Sequence, residues 1–201
     1  MNRRRYHHGD LRRALIEAAL ERIAAEGADA LSLRAVARDV GVTHAAPYRH
    51  FESKTTLIAA IAEEGLEELN RRVWGAAEGV SDRAEMLMLM GAAYVRFAVE
   101  KPGHFKVLYG PYRLAPHLNP ASDPVGDRAI ETMVELWGPL CREDQDPRAV
   151  ALGSWTIMHG IATLLVDGRL RPELLGLPSG DLEGLTRLIV EGSRKRPVSP
   201  A

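Results

Sequence analysis

The sequence predicts an all-α protein, and three observations lead to that prediction. Apolar residues recur at intervals of three and four along most of the chain, which is the spacing of one helix face. Asp, Ser and Gly stand at the ends of these stretches, where they cap helices. One stretch, residues 32–51, has the pattern of two short helices joined by a glycine turn. We therefore expect a three-helix head over residues 8–68 and a larger helical bundle over residues 69–201.

The first helix of the head is predicted to start at Asp10, as its N-terminal cap, and to end at about Glu26. Leu15, Ala19 and Ile23 recur at intervals of four and form its apolar face. This face is expected to support the two helices that follow.

The next two helices carry the cap residues of a helix-turn-helix. Ser32 caps a helix over residues 33–40, because a hydroxyl side chain accepts a free N–H there. Gly41 supplies the positive φ of a helix C-terminus, and Thr43 caps a second helix that ends near His50. In a helix-turn-helix protein the second helix enters the DNA major groove.

The second helix carries polar side chains, and the small side chains of Ala45 and Ala46 would let it lie close to the base edges. Phe51 is the apolar residue expected to hold it in the head. Pro47 is the fourth helical residue, so it removes at most one backbone hydrogen bond and is expected to shorten and stiffen the helix. The pattern leaves open an ordinary helical hairpin with a solvated polar face.

A motif through these helices reads Leu33-x2-Val36-Ala37, then Gly41-Val42-Thr43-x4-Tyr48-Arg49-His50-Phe51, then Lys54. It closely resembles the N-terminal domain of the tetracycline-repressor (TetR) family of transcription regulators, over residues 6–70. The resemblance implies phosphate contacts from Thr43, Tyr48, His50 and Lys54. It implies groove-facing positions for His44, Ala45 and Arg49. Ser32 and Arg34, at the start of the preceding helix, complete the predicted DNA-binding set.

The charge distribution agrees with a head that meets DNA. Residues 1–54 hold ten Lys and Arg against seven Asp and Glu, whereas residues 55–201 hold sixteen against twenty. Four of the seven histidines also lie in the first segment. A basic head on an acidic body is expected where only the head contacts nucleic acid. The basic residues 2–5 are predicted to form an arm along DNA or a solubilising tail.

Four helices are predicted after the helix-turn-helix. They cover residues 54–78, with Ser53 as the cap, a stretch from Ser81 or Asp82 to residue 101, residues 102–109 and residues 125–141. The first of these is expected to reach from the DNA-binding surface into the C-terminal bundle. The intervening residues 110–124 contain four prolines and are predicted as a flap or a surface loop.

The last two helices are the predicted subunit interface. Asp146 and Pro147 begin a helix whose residues 149–166 carry no formal charge. Its length permits a membrane span, but we interpret it as buried on two sides, by the domain core and by a second subunit. Gly153 and Gly160 would let another helix approach. Together with a final helix over residues 181–194 it would form a four-helix bundle in a homodimer.

A ligand pocket is predicted in the bundle. Its candidate residues are the apolar and aromatic side chains Met90, Tyr94, Phe97, Phe105, Trp155 and His159, and they imply an apolar or aromatic effector. The methionine spacing and His159 also fit a plain core. Trp155-x3-His159-Gly160 resembles the tryptophan–histidine–glycine signature of C-terminal domains in one TetR branch.

No catalytic motif stands out. The sequence has no G-x-S-x-G, P-loop, G-x-G-x-x-G or H-E-x-x-H pattern, so we expect no enzyme activity and no cofactor. The single Cys141 excludes an internal disulfide, and His7-His8 lacks the neighbours of a metal site. No apolar signal region follows the basic N-terminus, so a cytoplasmic location is expected.

These observations predict a homodimeric, ligand-responsive DNA-binding regulator. Repression, with release from a palindromic operator by the effector, is implied by the family resemblance. The alternative is an all-α small-molecule-binding protein or enzyme without a specific DNA site.

Overall fold

The computed structural model describes residues 8–110 and 124–194, and every regular element in these ranges is helical. The α-helices are α1 (His8–Glu26), α2 (Leu33–Val40), α3 (Lys54–Ala77), α4 (Arg83–Glu100), α5 (Pro102–Tyr109), α6 (Pro124–Trp137), α7 (Pro147–Val166) and α8 (Leu182–Arg194). Three 3₁₀ turns cover Pro47–Arg49, Gly138–Leu140 and Pro172–Leu175. The predicted N-terminal arm, His7, the loop 111–123 and the residues after Arg194 lie outside the described ranges.

Several predicted caps are confirmed. The Ser32 hydroxyl accepts the Ala35 N–H at 3.2 Å, and Gly41 has φ 76°. Ser53 and Thr56 exchange side-chain and backbone hydrogen bonds at the start of α3, as in a capping box. Asp146 accepts the Arg148 N–H at 2.9 Å at the start of α7.

Of the two predicted caps of α4, Asp82 is the one that the structure shows, because its carboxylate accepts the Glu85 N–H at 2.7 Å. Two other predicted ends were wrong. α1 begins at His8, so Asp10 lies within its first turn and not at its start. α6 ends at Trp137, because Pro139 cannot donate the backbone hydrogen bond that would continue the helix.

The chain divides into two compact units. Of the described residues, the first unit contains 8–68 and 101–110, and the second contains 69–100 and 124–194. α3 contributes residues to both units. Each unit has its own apolar interior.

The first unit packs α1, α2, the start of α3 and α5 around one core. Its centre consists of side chains with no exposed surface: Leu15, Ala19, Ile23, Val36, Leu57 and Ile61. Outside the core, the Arg22 guanidinium on α1 pairs with Asp39 on α2, which holds the pKa of that carboxyl below its ordinary value.

α5 is held on α1 by two close contacts. Lys106 Nζ donates to the Ala24 carbonyl oxygen at 2.6 Å. Gly103 lies so close to α1 that a Cβ there would stand 2.6 Å from the Leu20 carbonyl oxygen. Residues about eighty positions apart in sequence are thereby brought into one interior.

In the second unit α4 packs against α7 and α8, and α6 packs against α7. α4 and α7 approach closely at Gly91, where a Cβ would lie 2.8 Å from Met158 Sδ. Arg187 on α8 donates to both carboxylate oxygens of Glu85 on α4, at 2.7 and 2.9 Å, in the bidentate geometry that arginine favours.

α7 is the one helix in the described ranges long and apolar enough to cross a membrane. Its most apolar window has a mean hydropathy of 1.6, and only 17% of that window is buried within the structure. Ala151, Ile161 and Ala162 are its buried residues. Much of its apolar surface is therefore left uncovered by the part of the chain that the structure describes.

The tight contact at Gly103 predicts that Gly103→Ala lowers the free energy of unfolding by about 1–3 kcal/mol, because the added methyl displaces α5 from the α1 backbone. Gly75→Ala on α3 is the matched control. Its Cβ meets no atom within 4 Å, so we expect a gain of about 0.5–1 kcal/mol from helix propensity. Urea denaturation at one protein concentration measures both. Equal effects of the two substitutions would contradict the described position of α5.

Candidate nucleic-acid interface and ligand sites

The helix-turn-helix has a regular first helix and a well-formed turn. The Gly41 N–H donates to the Arg38 carbonyl and the Val42 N–H donates to the Ala37 carbonyl at 2.9 Å. Together with the left-handed φ of Gly41 these bonds form the glycine-terminated helix end that the sequence predicts.

The predicted second helix was wrong in type. Residues 44–46 form a turn, and Pro47–Arg49 form a single 3₁₀ turn in place of an α-helix. Pro47 has no N–H, so the α-helical bond to the Thr43 carbonyl cannot form. That carbonyl instead accepts the Ala46 N–H at 3.0 Å, which is the shorter 3₁₀ spacing.

Most side chains of the segment 43–50 are nonetheless exposed, and two buried residues anchor the segment to the head. Pro47 and Phe51 are buried, and the His50 and Phe51 N–H groups both donate to the Pro47 carbonyl at 2.9 Å. Tyr48 is 50% exposed. The exposed residues of the segment also include Thr43, His44, Ala45 and Arg49, and His50 is half-buried.

Three predicted residues lie beside this segment. Ser32 is exposed but its hydroxyl caps α2, and Arg34 is exposed in the first turn of α2. Lys54 is half-buried, and its Nζ donates to the Asp29 carbonyl at 2.9 Å. Lys54 therefore ties the α1–α2 loop to the start of α3 in this structure.

Sequence reasoning missed Arg38. It is exposed on α2, one turn after Arg34. Residues four apart share a helix face, so this spacing was the available signal. The first unit thus places three exposed guanidinium groups, those of Arg34, Arg38 and Arg49, on its helix-turn-helix.

Three of the six predicted ligand residues come together between α4 and α7. Tyr94 Oη and His159 Nδ1 are 2.9 Å apart, and the Trp155 and His159 rings stack with centroids 5.3 Å apart. Burial lowers the pKa of His159, so the neutral ring is favoured. Met90 and Phe97 are buried residues of α4, the helix that carries Tyr94.

Phe105 is not part of this group. It lies on α5 in the first unit, is 4% exposed, and contacts the Tyr109 ring with centroids 5.2 Å apart. Because Phe105 follows the head in the sequence, we predicted that it lies in the C-terminal bundle. The packing of α5 on α1 instead makes it a buried residue of the head.

The second unit contains a cavity of about 630 Å³, which we name the Trp137 cavity. None of the six predicted ligand residues lines it. Its apolar walls come from four helices and include Leu87, Met88, Trp137, Ile157, Met158 and Val190. Arg142 and Gln145, from the segment between α6 and α7, also line it.

An all-helical chain with an exposed helix-turn-helix segment and a separate helical unit has the architecture of a DNA-binding regulator. The model of "Bacterial regulatory proteins, tetR family" matches residues 15–61. The model of "Tetracyclin repressor-like, C-terminal domain" matches residues 87–190. The chain belongs to the TetR family of transcription regulators. The finer assignment to the tryptophan–histidine–glycine branch stays a prediction.

Three known proteins illustrate the similarity. The nucleoid occlusion factor SlmA of Vibrio vulnificus (strain YJ016) is 33% identical over 86 residues, which are 43% of this chain and 44% of that protein. The matched segment thus spans less than half the length of that curated relative. A protein of unknown function from Rhodococcus sp. RHA1 is 30% identical over 94% of this chain and 96% of its own, with a TM-score of 0.70. AibR, solved with isovaleryl coenzyme A and operator DNA, is 17% identical and shares the fold, with a TM-score of 0.64 over 77% of this chain and 95% of its own.

Two half-buried histidines, His104 and His159, predict a loss of stability at mildly acidic pH. Burial, and then the nearby Lys101 charge, lower the pKa of His104, and burial lowers the pKa of His159. The unfolded chain therefore binds more protons, so the free energy of unfolding falls as pH drops below about 6.5.

His104→Gln should reduce this dependence between pH 7.5 and 5.5, measured by urea denaturation at each pH. His44→Gln, at an exposed position, is the control and should leave it unchanged. The same pH dependence in both variants would contradict the assignment to His104.

Proposed function

We propose that this protein is a homodimeric DNA-binding transcription regulator whose two heads grip a palindromic operator. The observation that carries the proposal is the outward segment 43–50, held from beneath by Pro47 and Phe51. Two such segments on a twofold axis would read half-sites about 34–36 Å apart, or a multiple of that distance.

The roles of the side chains follow from their chemistry. Arg49 is the exposed guanidinium of the segment, and arginine binds guanine O6 and N7 in the major groove. Thr43, Tyr48 and His50 supply donors for phosphate oxygens, which fix the register of the head. Arg34 and Arg38 add positive charge beside them. The single 3₁₀ turn offers a short reading surface, so we assign more of the affinity to phosphates than to bases.

The dimer is proposed to form through α7 and α8. Leu164 on α7 is 42% exposed and Leu188 on α8 is 45% exposed. A Cβ added at Gly160, on the same helix as Leu164, would meet no atom within 4 Å, so a partner helix has room to approach. A second subunit would cover the exposed apolar surface of α7. This contact would explain the apolar composition of α7 without a membrane span.

The regulator is proposed to be a cytoplasmic repressor without enzyme activity, released from its operator by a small apolar or aromatic effector. AibR, which has this fold, was solved with both isovaleryl coenzyme A and operator DNA. An effector can act here only by binding one arrangement of the dimer more tightly than the other.

Removal of the Arg49 guanidinium tests the DNA-reading role. Arg49→Gln should weaken binding to a selected palindrome by about tenfold or more, because a bidentate base contact contributes about 1–3 kcal/mol. Arg169→Gln removes an exposed arginine from the second unit and should leave the affinity unchanged. Gel-shift titration at fixed salt measures both.

Two outcomes would contradict this role. One is an equal effect of the two arginine substitutions. The other is weak, salt-sensitive binding with no preferred sequence, which would favour a small-molecule-binding protein without a DNA site.

Charge on the proposed interface tests the dimer. Leu164→Glu and Leu188→Glu should shift the protein toward monomer in sedimentation velocity, because each places a carboxylate in an apolar contact. Leu174→Glu is the control, since Leu174 is 59% exposed on the Pro172–Leu175 turn outside both helices. Dissociation by Leu174→Glu alone would place the interface elsewhere.

A further inference from the structure

We infer that the Trp137 cavity is the effector site, and that it takes an elongated apolar molecule that carries a carboxylate at one end. The inference rests on the proposed regulatory function. It replaces the group around Tyr94 and His159 as the place where the effector binds.

The volume and the walls fit a small molecule. About 630 Å³ lies within the range of roughly 300–1,000 Å³ in which proteins bind such ligands. Leu87 and Met88 of α4, Trp137 of α6, Ile157 of α7 and Val190 of α8 present carbon and one indole ring to the space. The cavity runs beside α7 from Val150 to Met158, about 12 Å at the rise of an α-helix, so the ligand should be longer than it is wide.

The polar side chains of the lining are Arg142 and Gln145, from the segment between α6 and α7, and two serines, Ser154 of α7 and Ser193 of α8. Arg142 donates to Asp144 at 3.0 and 3.3 Å, but both side chains are more than 70% exposed, so this pair contributes little. A ligand carboxylate can take the bidentate position that Asp144 holds. Gln145 Oε1 accepts the Arg142 backbone N–H at 3.0 Å, which leaves its NH₂ as a donor toward a ligand. These donors favour an acid over an alcohol or an amine.

The alternative group is already occupied by its own side chains. Tyr94 and His159 bond each other, and Trp155 stacks on His159. A ligand there would have to break this hydrogen bond, whereas in the Trp137 cavity only the exposed Asp144 carboxylate has to leave Arg142.

The cavity adjoins the closest approach of two helices. Met158 lines the cavity and also sits against Gly91 of α4, and the next residue, His159, bonds Tyr94 of α4. A ligand against Met158 therefore acts on the α4–α7 contact. The effector would act by binding one of two arrangements of this contact more tightly than the other.

One glycine permits a direct test. Gly153 lines the cavity, and a Cβ there meets no atom within 4 Å, so Gly153→Leu starts its side chain in open space at the cavity. Gly75→Leu on α3 is the control, because Gly75 is not part of the lining, lies outside the proposed α7–α8 interface and also has open space.

The measurement uses Trp137 as the reporter in the full chain. Trp74→Phe and Trp155→Phe leave it as the single tryptophan. Decanoate, decanol and decylamine are titrated below their micelle concentrations. We expect saturable quenching or enhancement, with decanoate binding about tenfold or more tighter than decanol because its hydrogen bond to Arg142 is charge-assisted.

Three variants complete the test. Arg142→Gln should remove the preference for the acid, Gly153→Leu should abolish binding, and Gly75→Leu should retain it. Equal affinities for decanoate and decanol, or binding that survives Gly153→Leu, would overturn the inference. Dissociation of the dimer by Gly153→Leu but not by Gly75→Leu would show that the cavity is a subunit contact, which also overturns it.

Gel shifts with the selected operator separate this inference from the proposed function. Intact operator binding without decanoate binding refutes the ligand site alone. Absence of operator binding in the parent protein refutes the regulator, while the Trp137 titration still reports whether the cavity takes an acid. Decanoate binding that also lowers operator affinity supports both.

Discussion

The missing N–H of Pro47 is the constraint on which the proposed DNA-binding surface depends. It forbids the α-helical bond to Thr43, so the backbone closes a 3₁₀ turn and leaves the Pro47 carbonyl to accept two N–H groups, from His50 and Phe51. The buried proline ring and the buried Phe51 then fix this turn to the core of the head. Rigidity that a longer helix would obtain from its own hydrogen bonds is obtained here from packing.

The same core fixes the rest of the head. α1 contributes the buried face Leu15, Ala19 and Ile23, and Arg22 joins it to α2 through Asp39. α5 closes the unit from a distant part of the sequence, with Lys106 on the last turn of α1. The outward segment is therefore positioned by buried residues of four helices, α1, α2, α3 and α5.

Much of this was available from the sequence. Apolar spacing and cap residues predicted the bounds of α2 and α5 as the structure has them, and the family motif identified the head. These features are local, since a cap acts within one turn and a glycine end within two residues. The second helix was wrong because the loss of one hydrogen bond was weighed alone. In so short a segment, helix formation already carries its nucleation cost, so that loss decides the outcome.

The ligand sites show the limit of such local reasoning. Aromatic residues at helical spacing correctly indicated that Tyr94 and Phe97 face the interior of the bundle, but periodicity does not reveal whether facing side chains leave space between them. Tyr94 and His159 bond each other, whereas the side chains around Gly153 and Trp137 leave a cavity. Phe105 was assigned to the bundle by its place in the chain, and only the tertiary contact at Gly103 assigns it to the head.

We propose that paired copies of the outward segment read the DNA major groove. Methylation interference at guanine N7 on the selected duplex tests this most directly, because N7 lies in that groove and arginine binds it. Two clusters of interfering guanines are expected on one face of the duplex, about 34–36 Å apart or a multiple of it, and interference at both clusters should weaken in Arg49→Gln. A single cluster, or interference that Arg49→Gln leaves unchanged, would contradict it.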